Sequence, residues 1–102
     1  MDNNIIKVGN LYKHFKGKNI YRVISLNNNG KELDSNIKYT GTGDVSKATN
    51  LVIYKNIFNE MLFARELDDF YVELSKEEQD EFGQVHRVEP LTMDEEKELM
   101  KK

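Results

Sequence analysis

The chain has no cysteine, a single proline, two histidines and no apolar run approaching the length of a membrane span. Without cysteine there is no disulfide framework, zinc ribbon, iron–sulfur cluster or thiol nucleophile, so stability comes from packing and hydrogen bonding. A spanning helix needs roughly 18 or more consecutive apolar residues, and no apolar signal-peptide stretch follows Met1. These absences predict a cytoplasmic setting, in a bacterium or in the bacterial host of a phage. His14 and His86 do not make a metal-ligand set, and no cofactor is expected. Ser25, Ser35, Ser46 and Ser75 stand in no nucleophile-elbow context. The adjacent acids Asp68 and Asp69 would point to opposite faces of a strand, a poor arrangement for general acid–base work. The prediction is a protein that binds rather than an enzyme.

What is present is a 102-residue chain, 38% hydrophobic and 32% charged. That length supports one domain, residues 1–102, and a modest core burying roughly 65% of the unfolded surface. It leaves no room for a cleft between two domains. Charge is uneven. Up to Lys55 nine Lys and Arg face four Asp and Glu, whereas from Asn56 onward six face fourteen. Such asymmetry makes either two solvated faces, a basic face for phosphate-bearing ligands, or a head-to-tail attraction between copies.

Along the chain, residues 11–16 and 20–26 read as two strands joined by Gly17-Lys18-Asn19, with Tyr12, His14 and Lys16 on one face of the first. The Asn27-Asn28-Asn29-Gly30 run is a strong turn signal. Polarity then persists to Asn50, and a connection of that length is functional, disordered or carries structure of its own. Within it residues 37–40 read as a short strand, and Gly41-Thr42-Gly43-Asp44 as a turn lacking the lysine of phosphate-binding loops. Residues 51–58 and 61–66 form the clearest strand pair. Residues 67–69 read as a turn and 70–74 as strand-like. Ser75 with Glu78 is a capping box opening a short helix that Gly83 closes. Residues 85–89 read as a last strand ended by Pro90. Thr92 with Glu95 opens a second helix running into Lys101 and Lys102, with a thin apolar stripe of Met93, Leu99 and Met100.

Tyr12-Lys13-His14-Phe15-Lys16-Gly17 followed by Tyr21-Arg22-Val23-Ile24 resembles the opening of the bacterial and phage family called domain of unknown function 1653. Leu51-Val52-Ile53-Tyr54-Lys55-Asn56 is similar to that family's valine-valine-tyrosine strand. The run from Leu62 to Phe70 is similar to its tryptophan-valine-arginine-proline-leucine block, with Phe63 in place of the tryptophan and Glu66 in place of the proline. The resemblance covers roughly residues 9–74, and residues 27–50 are longer than the family's connection. It implies a compact SH3-like barrel, in a family whose functions are mostly unassigned. The expected fold is therefore mainly β, of the α+β class: a small SH3-like antiparallel barrel over residues 9–74 with the long polar loop 27–50, a short helix, and a C-terminal helix in an extension over 75–102.

The candidate ligand-binding residues are Tyr12, His14, Lys16, Arg22, Tyr54, Asn56 and Arg65. Lys16 and Arg22 would neutralise phosphate, and His14 among cations would stay neutral and orient it. Arg65 would pair with Asp68 or Asp69 or reach a ligand anion. Tyr12 or Tyr54 would stack on a base, with Asn56 supplying an amide. Each has a structural alternative in packing or internal pairing. The leading expectation is a non-catalytic module that sequesters a small phosphate-bearing, nucleotide-like ligand, as a phage counter-defence sponge would, in a homo-oligomer with the site between protomers. The alternatives are an adaptor that blocks a host protein through residues 73–98, and single-stranded nucleic-acid binding by the basic-aromatic hairpin, which an isoelectric point near 5.4 disfavours.

Overall fold

The structure is a computed structural model and describes residues 6–100. Lys101 and Lys102, expected to end the last helix, and the side chain of Met100 lie outside the described residues. Strands β1 (Leu11–His14), β2 (Ile20–Asn28), β3 (Lys38–Tyr39), β4 (Leu51–Asn56), β5 (Leu62–Glu66) and β6 (Val88–Pro90) form one sheet in the order β3-β5-β4-β2-β1-β6. Helices α1 (Leu67–Phe70), α2 (Lys76–Phe82) and α3 (Met93–Met100) complete the α+β domain. Among the described residues no helix is long and apolar enough to cross a membrane.

The sheet is open and mixed, which corrects the expected closed antiparallel barrel. All strand pairs are antiparallel except β3 with β5, which is parallel. The reason lies in residues 27–50. Instead of looping away they return β3 to the outer edge of β5, the edge that closure onto β6 would use. At the other end β6 is three residues long and finishes in Pro90, which has no N–H to donate to a further strand. Two register shifts, at Val23/Ser25 and Ser25/Asn28, bend β2 along its length.

Register decides which side chains meet. Tyr12 opposes Tyr21, which opposes Asn56; Val23 opposes Tyr54, which opposes Phe63; Val52 opposes Arg65. These side chains share the inner face, where Tyr12, Val23, Val52 and Tyr54 pack with Ile6, Phe70 and Val88 in the main core. Each aliphatic side chain buried there contributes about 1.5–3 kcal/mol of transfer free energy. The outer face is covered twice. Over β4 and β5, Ala48 packs with Leu51 and Ala64, flanked by Leu33, Ile37, Tyr39 and Ile53. Over β1, α3 is tied down by the Lys13 ammonium on Glu95 at 2.7 Å, while Met93, 78% exposed, faces away.

The long connection is thus structured rather than a free loop. Gly30 lies so close to Val45 that a Cβ there would sit 1.7 Å from the Val45 carbonyl oxygen. Its N–H donates to Ala48 O at 2.8 Å, which clamps two short 3₁₀ turns, Gly30–Glu32 and Val45–Lys47, back to back. The Tyr39 hydroxyl donates to Thr42 O at 2.9 Å and Asp44 accepts from Ser46 N–H at 3.0 Å, so the residues around Gly43 make a capped turn. Both capping boxes form: Glu78 N–H reaches Ser75 Oγ and Glu95 N–H reaches Thr92 Oγ1. The expected turn at residues 67–69 is α1. Of the strand expected over 85–89, only β6 and an isolated His86–Glu73 bridge appear, because Glu89 folds back to accept the Val85 and His86 N–H groups.

Candidate functional site

A cavity of about 120 Å³ opens on the inner face where both ends of the sheet order approach each other. One side carries Tyr54 of β4 and Arg65 of β5, the other His14 of β1 and Arg87, which directly precedes β6, with Tyr21 of β2 also lining it. Its apolar wall is an aromatic cluster. Tyr21 meets Tyr54 edge-on at 4.9 Å between centroids, Tyr54 stacks with Phe63 at 5.7 Å, and Phe70 of α1 closes on Tyr54 at 4.7 Å. Such offset and edge contacts fix ring positions, because the negative ring faces seek positive edges. The Tyr54 hydroxyl lies 3.1 Å from Thr40 Oγ1, and the Thr40 N–H is held by Ala64 O at 2.9 Å. The return of the 27–50 segment therefore completes the pocket.

Charge converges there. Arg65 pairs with Asp69 four residues on, and Arg87 Nη2 lies 3.7 Å from the other oxygen of the same carboxylate. The Arg87 backbone is pinned on both sides: its N–H donates to Val72 O at 2.8 Å and its carbonyl accepts from Phe15 N–H at 2.9 Å. Yet Arg87 Nε is buried with no hydrogen-bond partner among the described residues. A buried donor left unpaired costs roughly 1–3 kcal/mol, more when charged. Burial disfavours the Arg65 charge, but the Tyr54 hydroxyl and Asp69 outweigh it and raise its pKa above the ordinary value.

His14 is held neutral. Burial, then the nearby charges of Arg87, Arg65 and Lys16, push its pKa below the ordinary 6.5. Its Nδ1 accepts the Lys16 N–H at 3.2 Å, so the neutral ring carries its proton on Nε2. With two guanidinium groups, one carboxylate and a neutral imidazole, the pocket has a net charge of about +1 and donors in excess of acceptors.

Of the residues singled out from sequence, His14, Tyr54 and Arg65 are brought together and the others are not. Tyr12 is 0% exposed, packs edge-on to Phe70, and its hydroxyl accepts the Lys7 N–H at 2.8 Å, so its ring belongs to the core and offers no stacking face. Arg22 opposes Leu11, which places it on the outer face, where its Nη1 donates to Gly9 O at 2.7 Å. Lys16 lies beyond the end of β1, exposed and over the Phe15 ring at 5.6 Å. Asn56 is buried; its Oδ1 accepts Phe58 N–H at 2.9 Å and its amide donates to Asn19 at 3.2 Å, so it braces two turns.

Arg87, Tyr21, Thr40 and Asp69 were not assigned to the site, although Asp69 stood among the possible partners of Arg65. Arg87 had a readable signal: a guanidinium between Val85 and Val88 in a strand-like stretch, the context that marked Arg65. His86 is elsewhere, stacked on Tyr71 at 4.0 Å. Among the described residues no group of three or more His, Cys, Asp or Glu is placed to hold a metal ion. No family model, curated protein or solved structure matches the chain.

Proposed function

We propose that this protein is a non-catalytic binding module that holds the anionic group of a small phosphate-bearing, nucleotide-like ligand between Arg65 and Arg87. The observation that carries the reading is the meeting of two guanidinium groups, Arg65 and Arg87, in one pocket, the Arg87 Nε being buried with no hydrogen-bond partner among the described residues. An incoming phosphoryl oxygen would accept charge-assisted hydrogen bonds from the two guanidinium groups, and the planar fork of arginine suits that geometry. A volume near 120 Å³ accommodates a phosphoryl head but lies below the roughly 300 Å³ at which sites enclose a whole drug-sized ligand. The sugar and base would therefore lie at the mouth.

The proposal includes the family kinship. What supports it is the run of antiparallel neighbours β6-β1-β2-β4-β5 within the open sheet, with α1 and α2 between β5 and β6. Calorimetric titration with adenosine 5′-monophosphate tests the function. Arg87→Gln and Arg65→Gln should each weaken binding about 10–100-fold, the equivalent of a lost charged hydrogen bond. Arg22→Ala should leave it unchanged within about twofold. Loss of binding in Arg22→Ala with both pocket variants intact would overturn the assignment, as would absence of binding in the folded wild type.

A further inference from the structure

We infer, resting on that reading, that the pocket selects a dianionic phosphate monoester over a monoanionic diester and that His14 takes up a proton as the ligand binds. The argument starts from charge. Arg65 and Arg87 share one carboxylate, Asp69, leaving a surplus of about one positive charge in the pocket. A monoanion matches that surplus, whereas a dianion leaves one negative charge in a site walled by Tyr21, Tyr54, Phe63 and Phe70, where low local dielectric makes the imbalance costly. The cheapest response is a proton from solvent onto the nearest titratable group.

His14 is built to receive it. The groups that face it are Arg87 ahead of β6, Arg65 on β5 and Lys16 in the hairpin turn, which bias it to neutrality, with Asp69 beyond the arginines and the uncharged Tyr21 and Tyr54 on β2 and β4. A phosphoryl dianion between the arginines would reverse the local field and favour the imidazolium. The two ring nitrogens divide the work. Nε2–H remains available to donate to the ligand, while the incoming proton goes to Nδ1. There it displaces only the 3.2 Å bond from the Lys16 N–H, which is exposed and finds water instead. No covalent bond to the ligand forms or breaks; one N–H bond forms on His14 at the expense of a buffer acid. With a protonated His14 the pocket is about +2, and because the attraction grows with the product of the charges, a monoester dianion in it is held more strongly than a diester monoanion in the resting +1 pocket, which is the source of the preference.

Titration calorimetry of the full chain at pH 7 in buffers of differing ionisation enthalpy reads the proton directly. The probes are adenosine 5′-monophosphate, inorganic phosphate and 3′,5′-cyclic adenosine monophosphate, which keeps base and sugar but carries one charge. The expected result is proton uptake with the 5′-monophosphate and with phosphate, reduced toward zero in His14→Gln, and binding of the cyclic diester weaker by about tenfold or more. Because His14→Gln could perturb the hairpin, the imidazole of the wild type is also titrated by NMR, and its midpoint should rise when the 5′-monophosphate is bound. Binding of the monophosphate with neither proton uptake nor a moved midpoint would overturn this inference and leave the proposed function standing. Equal affinity for the cyclic diester would overturn the selectivity. Failure of all three probes to bind would overturn the proposed function itself.

Discussion

Arg65 of β5 and Arg87, just ahead of β6, reach one carboxylate from elements that are not neighbours in the sheet. Asp69 accordingly sits where a ligand anion would, on the edge of the pocket and partly open to solvent. It holds apart two guanidinium groups that would otherwise repel each other, and it competes with any anion for them. Replacing it with asparagine separates these effects. Asp69→Asn should lower the stability of the free protein by about 1 kcal/mol, the scale of a partly exposed pair and its unmatched partner, and the melting temperature by roughly 5 °C. The same variant should bind adenosine 5′-monophosphate several-fold more tightly, because the pocket gains a net positive charge. Melting curves with and without ligand check both. A variant that binds more weakly than wild type would show that Asp69 positions the arginines more than it competes with the ligand.

At the scale of elements, the segment between β2 and β4 governs whether the pocket exists, since it carries Thr40 and delivers β3 to the edge of β5. Its fold depends on Gly30, where a side chain would collide with the Val45 carbonyl. Gly30→Ala should cost about 1–3 kcal/mol, the range of an overpacked site, and the melting temperature should drop accordingly. A change below 0.5 kcal/mol, the ordinary surface value, would show that the two 3₁₀ turns separate without consequence. Much of this level was readable in advance where its causes are local. Ser75 with Glu78, Thr92 with Glu95, and Gly83 after Phe82 set helix ends through contacts within a few residues, and all three formed. The 27–50 segment was not readable, because Gly30 meets Val45 and Thr40 meets Ala64 across long separations that leave no periodic mark. Likewise Arg22 was expected near His14 once the hairpin formed, although the pairing of Lys13 with Ile20 across that hairpin puts them on opposite faces. The correct pair, His14 and Arg87, depends on β6 joining β1 from more than seventy residues away.

For the whole molecule, the uneven charge of the two halves acquires a spatial meaning. Lys13 from the basic half meets Glu95 from the acidic half on the outer face. On the inner face the two arginines of the acidic half converge with His14 of the basic one. An acidic protein thereby has a small pocket where two arginines meet among aromatic rings, which in the proposed reading suits a compact phosphate better than a nucleic-acid strand. The chain has three arginines, and two of them line the pocket while Arg22 serves on the opposite face as an internal reference. Following the arginine Nε–H signals of the ¹⁵N-labelled protein during titration with adenosine 5′-monophosphate therefore tests the central claim most directly. The account predicts that the Arg87 and Arg65 signals shift and saturate together while Arg22 stays in place. Movement of Arg22 with Arg65 and Arg87 unchanged would contradict it.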